Sequence, residues 1–130
     1  MFRKYDMRIW NIDKFWKIVY LVGKRNYLFS DKYSSTVFVP RIVCKDGYSV
    51  SVQAGSTMYS MPREDGLEKY EEYELGYPTK RDKILKDYEE GWYDEGEIDY
   101  TKMVYAYVPV KIVNKLIKKH GGIVDVEWKF

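Results

Sequence analysis

A chain of 130 residues that is 45% hydrophobic and 32% charged has the makeup of one globular domain with one core. No apolar run approaches the roughly eighteen residues that cross a bilayer, the first residues lack the apolar stretch of a signal peptide, and the single Cys44 has no intrachain disulfide partner, which excludes membrane spans and disulfide scaffolds and leads us to expect a soluble, cytoplasmic protein. The net charge of +2 conceals a segregation: residues 1–62 carry ten Lys or Arg against four Asp or Glu, residues 63–99 six against fourteen, and residues 100–130 six against two.

Asn11 is a suitable N-cap, and Ile12, Phe15, Trp16, Val19 and Val22 recur on one side of a helix over residues 12–22 that Gly23 can end. The same stretch is rich enough in aromatic and β-branched residues to be a buried strand, and that alternative stays open. Residues 36–44 and 48–54 flank Lys45-Asp46-Gly47, and Asp-Gly between two such runs predicts a β-hairpin. Pro40 donates no ladder hydrogen bond, which predicts an edge strand or a bulge there. Further strands are expected at 58–61 and 73–77, the latter with Tyr73, Leu75 and Tyr77 on one face. Thr79 is placed to cap a helix over 80–90 with Ile84, Leu85 and Tyr88 inward. Residues 91–99 have no period and predict a loop. A strand over 102–108 leads through Pro109, suited to a first helical turn, into a helix with Val110, Val113, Leu116 and Ile117 on one side and Lys111, Lys115, Lys118 and Lys119 on the other. Gly121 supplies the left-handed stop, and 123–128 form a last strand. The pattern is α+β: a single domain with a mainly antiparallel sheet of about five strands and two or three packed helices.

The segments Asp46-Gly47-Tyr48-Ser49, Val52-Gln53-Ala54, Pro62-Arg63-Glu64, Tyr73-Glu74-Leu75-Gly76-Tyr77-Pro78, Val104-Tyr105-Ala106-Tyr107-Val108-Pro109 and His120-Gly121-Gly122 together resemble a family of small proteins encoded by tailed bacteriophages and prophages. The resemblance covers residues 40–123, leaving residues 1–36 as an N-terminal extension outside it. It implies a phage or prophage genome and a bacterial host cell, and it carries no activity to transfer.

No catalytic constellation or cofactor motif is present in the sequence, so neither an enzyme nor a bound cofactor or metal is expected. His120 stands where a helix end favours a cation, and a C-cap explains it without catalysis. Cys44 is expected to close a buried strand, and Asp94-Glu95-Gly96-Glu97-Ile98-Asp99 lacks the ligand spacing of a calcium loop.

Binding is better supported. Fourteen Tyr, four Trp and five Phe exceed the usual needs of a core this size, and such side chains give rigid contact area at interfaces. Tyr48, Tyr59, Tyr73, Tyr77, Tyr105 and Tyr107 fall on expected strands, where core or cross-strand packing explains each. Trp92 and Tyr93 lie in an acidic, glycine-bracketed loop with no periodic reason for burial, which makes them, with Glu89, Glu90, Asp94 and Glu95, the candidate partner-binding residues. The expectation is a phage or prophage accessory protein acting by stoichiometric binding to a host protein, a defence component targeted by an anti-CRISPR-like inhibitor being the leading case. The alternative is a nucleic-acid or nucleotide binder using Trp10, Lys17 and Arg25 of the basic, aromatic N-terminus and the Lys111, Lys115, Lys118 and Lys119 face.

Overall fold

The computed structural model describes residues 8–25, 39–90 and 98–127. Helix α1 (Ile12–Arg25) starts where Asn11 Oδ1 accepts the Lys14 N–H at 2.8 Å, so the expected cap forms and the helical reading prevails over the buried strand. Gly23 does not end it; the helix continues to Arg25. Strands β1 (Arg41–Cys44) and β2 (Ser49–Gln53) form the expected hairpin, pairing Ile42 with Val50. Gly47 takes φ +93° at the turn, a conformation open to glycine without steric cost. β3 (Glu72–Gly76), the two-residue β4 (Glu89–Glu90), β5 (Val104–Pro109) and β6 (Ile123–Glu127) complete the sheet. Its order is β4-β5-β3-β2-β1-β6, and every neighbouring pair is antiparallel. Helix α2 (Val110–Lys119) follows β5 directly.

Three expectations about elements need correction. Residues 58–61 are not a strand: a turn near Gly55 precedes a single bridge from Met61 to Glu72. Thr79 does not cap a helix over 80–90. Its hydroxyl accepts the Ser49 N–H at 3.1 Å, and a shorter 3-10 helix over Lys83–Tyr88 is capped by Asp82, whose carboxylate accepts from Ile84 N. Pro40 lies just before β1, which runs between β2 and β6 rather than at an edge; placed ahead of the first ladder residue, the proline breaks no pairing, and the irregularity that β1 does show against β6 falls at Val43/Cys44, not at the proline.

One core lies on the helix side of the sheet. Ile12, Phe15 and Trp16 of α1 and Val113, Leu116 and Ile117 of α2 are buried with Ile42, Val50, Val52, Tyr73, Leu75, Tyr105 and Val108 of the strands. The α1 segment, which precedes residues 40–123, is thus an integral layer of the same core. Trp16 meets Tyr70 and Tyr73 edge-on, with ring centroids 5.6 and 5.0 Å apart, the arrangement that ring quadrupoles favour. By strand alternation, Ser49, Ser51, Gln53, Glu72, Glu74 and Gly76 point to the second face.

Candidate protein-binding face

The second face owes its shape to two places where tyrosines leave the alternating pattern. Tyr73 and Leu75 point into the core, and continued alternation would bury Tyr77 with them. The strand instead stops at Gly76, and Tyr77 takes φ +54°, leaving it 44% exposed. In β5, Tyr105 pairs with Leu75 and Val108 with Tyr73, so one residue too many is accommodated by a bulge. Tyr107 absorbs it with φ +53° and turns outward. A left-handed tyrosine costs about 1 kcal/mol or more of backbone strain.

The exposed rings are not isolated. Tyr107 packs against Tyr59, ring centroids 5.8 Å apart, and the Tyr107 N–H donates to the Tyr59 carbonyl at 3.0 Å. Tyr59 N donates to Glu74 Oε2 at 3.1 Å. Beside this cluster runs an open groove of about 500 Å³, lined by Ser51, Gln53, Met58, Glu74, Tyr77 and Val104. Gly76 is part of the lining and, opposite Ser51, contributes no side chain to fill it. Burial pushes the half-buried Glu74 carboxyl above its ordinary range, opposed by the Tyr59 N–H and by the positive charge of Arg63. The polar floor is ordered: Gln53 Nε2 donates to the Val39 carbonyl at 2.9 Å and to Ser51 Oγ at 3.0 Å. The face therefore combines a hydrogen-bonded polar footing, exposed rings and a carboxylate, a composition suited to contact with a partly basic surface.

A second cluster lies on the helix side. His120 does cap α2 as expected, its N–H donating to the Leu116 carbonyl at 3.2 Å. Its ring, however, is buried between two carboxylates, Nδ1 at 2.7 Å from Asp46 Oδ2 and Nε2 at 2.7 Å from Asp82 Oδ2. It stacks on Tyr48 at 3.9 Å between centroids. Lys119 Nζ reaches Asp82 Oδ1 at 3.1 Å. Burial alone would raise the Asp82 carboxyl, but the Ile84 N–H, His120 and Lys119 outweigh it and hold the group below its usual range. Asp46 is lowered likewise, burial being outweighed by the Tyr48 N–H and His120. Both ring nitrogens are spent on these carboxylates, and the ring is 4% exposed, so the cluster fastens the hairpin turn, the 3-10 helix and the end of α2 to one another. Cys44 ends β1 in the core, its thiol pushed up to about 12 by burial and then by Asp46, so it is a thiol at neutral pH.

The residues singled out from the sequence fall in different places. Trp92, Tyr93, Asp94 and Glu95 lie outside the described residues. Glu89 and Glu90 form β4, and Glu89 is held by Arg81 through Nε to Oε1 at 3.0 Å and the second nitrogen to Oε2 at 3.3 Å. Arg81 also lies 3.8 Å over the Tyr100 ring. Of the alternative set, Lys111, Lys115, Lys118 and Lys119 are exposed on α2, and Lys119 also forms the ion pair with Asp82. Trp10 is 43% exposed beside Arg8 and against Gly122, and Lys17 lies 3.9 Å from Glu68. Arg25 closes α1. Tyr48, Tyr73 and Tyr105 are core as expected, whereas Tyr59 and Tyr77 are 45% and 44% exposed. The missed site residues are Met58, Tyr59, Glu74, Tyr77 and Tyr107; the one cue available was Gly76-Tyr77-Pro78, a turn signal that interrupts the strand before Tyr77.

No protein-family model matches the chain, and no curated protein or solved structure matches it. No described helix is long and apolar enough to cross a membrane.

Proposed function

We propose that the protein acts by stoichiometric binding to another protein, holding an extended, basic segment of that partner on the tyrosine-lined second face. The phage-like sequence pattern makes a host protein the expected partner, with an anti-defence role as its sharpest form. The reading is carried by the two left-handed tyrosines: the backbone at Tyr77 and Tyr107 turns out of the strand pattern and exposes rings on the same face, at a cost in backbone strain. The basic character of the occupant follows from charge. Glu72 and Glu74 of β3 point to this face by strand alternation, and complementary charge steers association and fixes register.

The test is capture of a partner from nuclease-treated bacterial lysate, followed by affinity measurement on the purified pair. Tyr77→Ala and Tyr107→Ala are each expected to weaken binding by about 2 kcal/mol, the scale of interface hot spots, with little change in thermal midpoint, since both side chains are exposed and alanine keeps the Cβ and with it the backbone strain already present. Lys111→Glu and Lys115→Glu are expected to be silent. Loss of capture on nuclease treatment, or loss at the lysines with the tyrosines silent, would replace this reading by the nucleic-acid one. Loss confined to Trp92→Ala and Tyr93→Ala would move the contact to the acidic segment around residues 92–95.

A further inference from the structure

We infer that Tyr59, Tyr107 and Glu74 form a guanidinium-binding site that the chain's own Arg63 occupies until an arginine of the docking segment takes its place. The inference rests on the protein-binding reading above and names the side chain that reading leaves unspecified.

Arg63 lies with its guanidinium carbon 5.6 Å from the centre of the Tyr59 ring, near the outer limit at which a cation is attracted by an aromatic face. Tyr107 stands beside the same ring at 5.8 Å, tilted by 49°, so the two rings present adjoining faces. Glu74, fixed by the Tyr59 N–H at 3.1 Å, supplies the negative charge, and the guanidinium of Arg63 is close enough to lower its carboxyl against the effect of burial. Among the described residues no ion pair closes between Arg63 and Glu74 within 4 Å, in contrast to Arg81, which grips Glu89 with two nitrogens. Arg63 is exposed and so is held loosely by a site with more to offer. Ring faces beside a half-buried carboxylate favour arginine over lysine, because a planar guanidinium can stack and bond through its fork at once, whereas an ammonium is a compact, strongly hydrated point charge.

Internal occupancy has a consequence opposite in sign to that of ordinary contact loss. Removing Arg63 should strengthen binding, by the roughly threefold factor that an exposed cation–π contact represents. The probe is a nine-residue Gly/Ser peptide with one central arginine, titrated into the full chain and followed by NMR shifts of the tyrosine rings, with the lysine and citrulline versions in parallel. The arginine peptide is expected to bind, the lysine peptide more weakly, and the uncharged citrulline peptide not at all. Arg63→Ala should tighten arginine-peptide binding about threefold, Glu74→Gln should weaken it at least fivefold, and Tyr59→Phe, which keeps the ring face, should preserve it. An unchanged or weakened affinity in Arg63→Ala, or citrulline binding as well as arginine, would overturn the inference. If the arginine peptide fails while Tyr77→Ala and Tyr107→Ala still release the partner, the guanidinium site is wrong and the binding face stands; if those variants are silent too, both fall.

Discussion

Tyr48 carries a hydroxyl into the core that makes no hydrogen bond among the described residues, although its ring is well used in stacking on His120. A buried, unpaired hydroxyl costs about 1–3 kcal/mol, and burial together with the nearby Asp82 makes its ionisation still less favourable. Tyr48→Phe keeps the stack and removes the orphan, so it should raise stability by about 1 kcal/mol in chemical denaturation. Asp82 works in the other direction. Its folded-state carboxyl is held below the ordinary range, so its contribution is complete above the ordinary aspartate value and is lost as pH falls through the depressed one. Asp82→Asn leaves His120 and Lys119 without their shared anion and should cost about 3 kcal/mol at neutral pH. The gap from the unmodified protein should close as pH is lowered through that acid range, which denaturation at a series of pH values measures. The C-cap role of His120 was legible because a glycine pair follows it. Its ring partners were not, since they stand 74 and 38 residues away and no local pattern marks them.

Elements with their determinants inside themselves were read well. α1 has its cap and apolar stripe, the first hairpin its Asp-Gly, and α2 its flanking Pro109 and Gly121. Elements shaped by distant chain were misread. The 58–61 segment has strand composition but meets β3 only through Met61, and Asp82 displaced Thr79 as a cap because Thr79 is engaged by β2. The candidate face suffered most: alternation assigned Tyr77 to the core, and a bulge set by pairing with β3 turned Tyr107 outward. Gly76 tests how much slack this face retains. A Cβ there would meet only Val104 Cγ1, at 3.5 Å, an ordinary contact. Gly76→Ala should therefore stabilise the protein by about 0.5 kcal/mol through the lost freedom of the unfolded chain, seen as a small rise in thermal midpoint, while narrowing the groove.

Across the whole molecule, charge segregated along the chain is spread over both sides of the sheet, with Asp46 and Asp82 paired on the helix side and Arg63 near Glu74 on the other. Exposed Lys111, Lys115 and Lys118 lie on the helix layer, while Glu72 and Glu74 point to the opposite face. The strand order adds a constraint in time. β1 is flanked by its hairpin neighbour β2 and by β6, the last strand to appear along the sequence, with Ile42 opposite Val126; β3, in turn, sits between β2 and the distant β5. The first hairpin can form early and locally, but its outer flank stays open until almost all of the described chain is available. Closure of such remote pairings is entropically slow, so the early chain must pass through an interval in which β1 offers an unfilled strand edge to any neighbouring molecule. Freedom from aggregation during synthesis therefore depends on how soon β6 arrives, and not on the stability of the finished sheet.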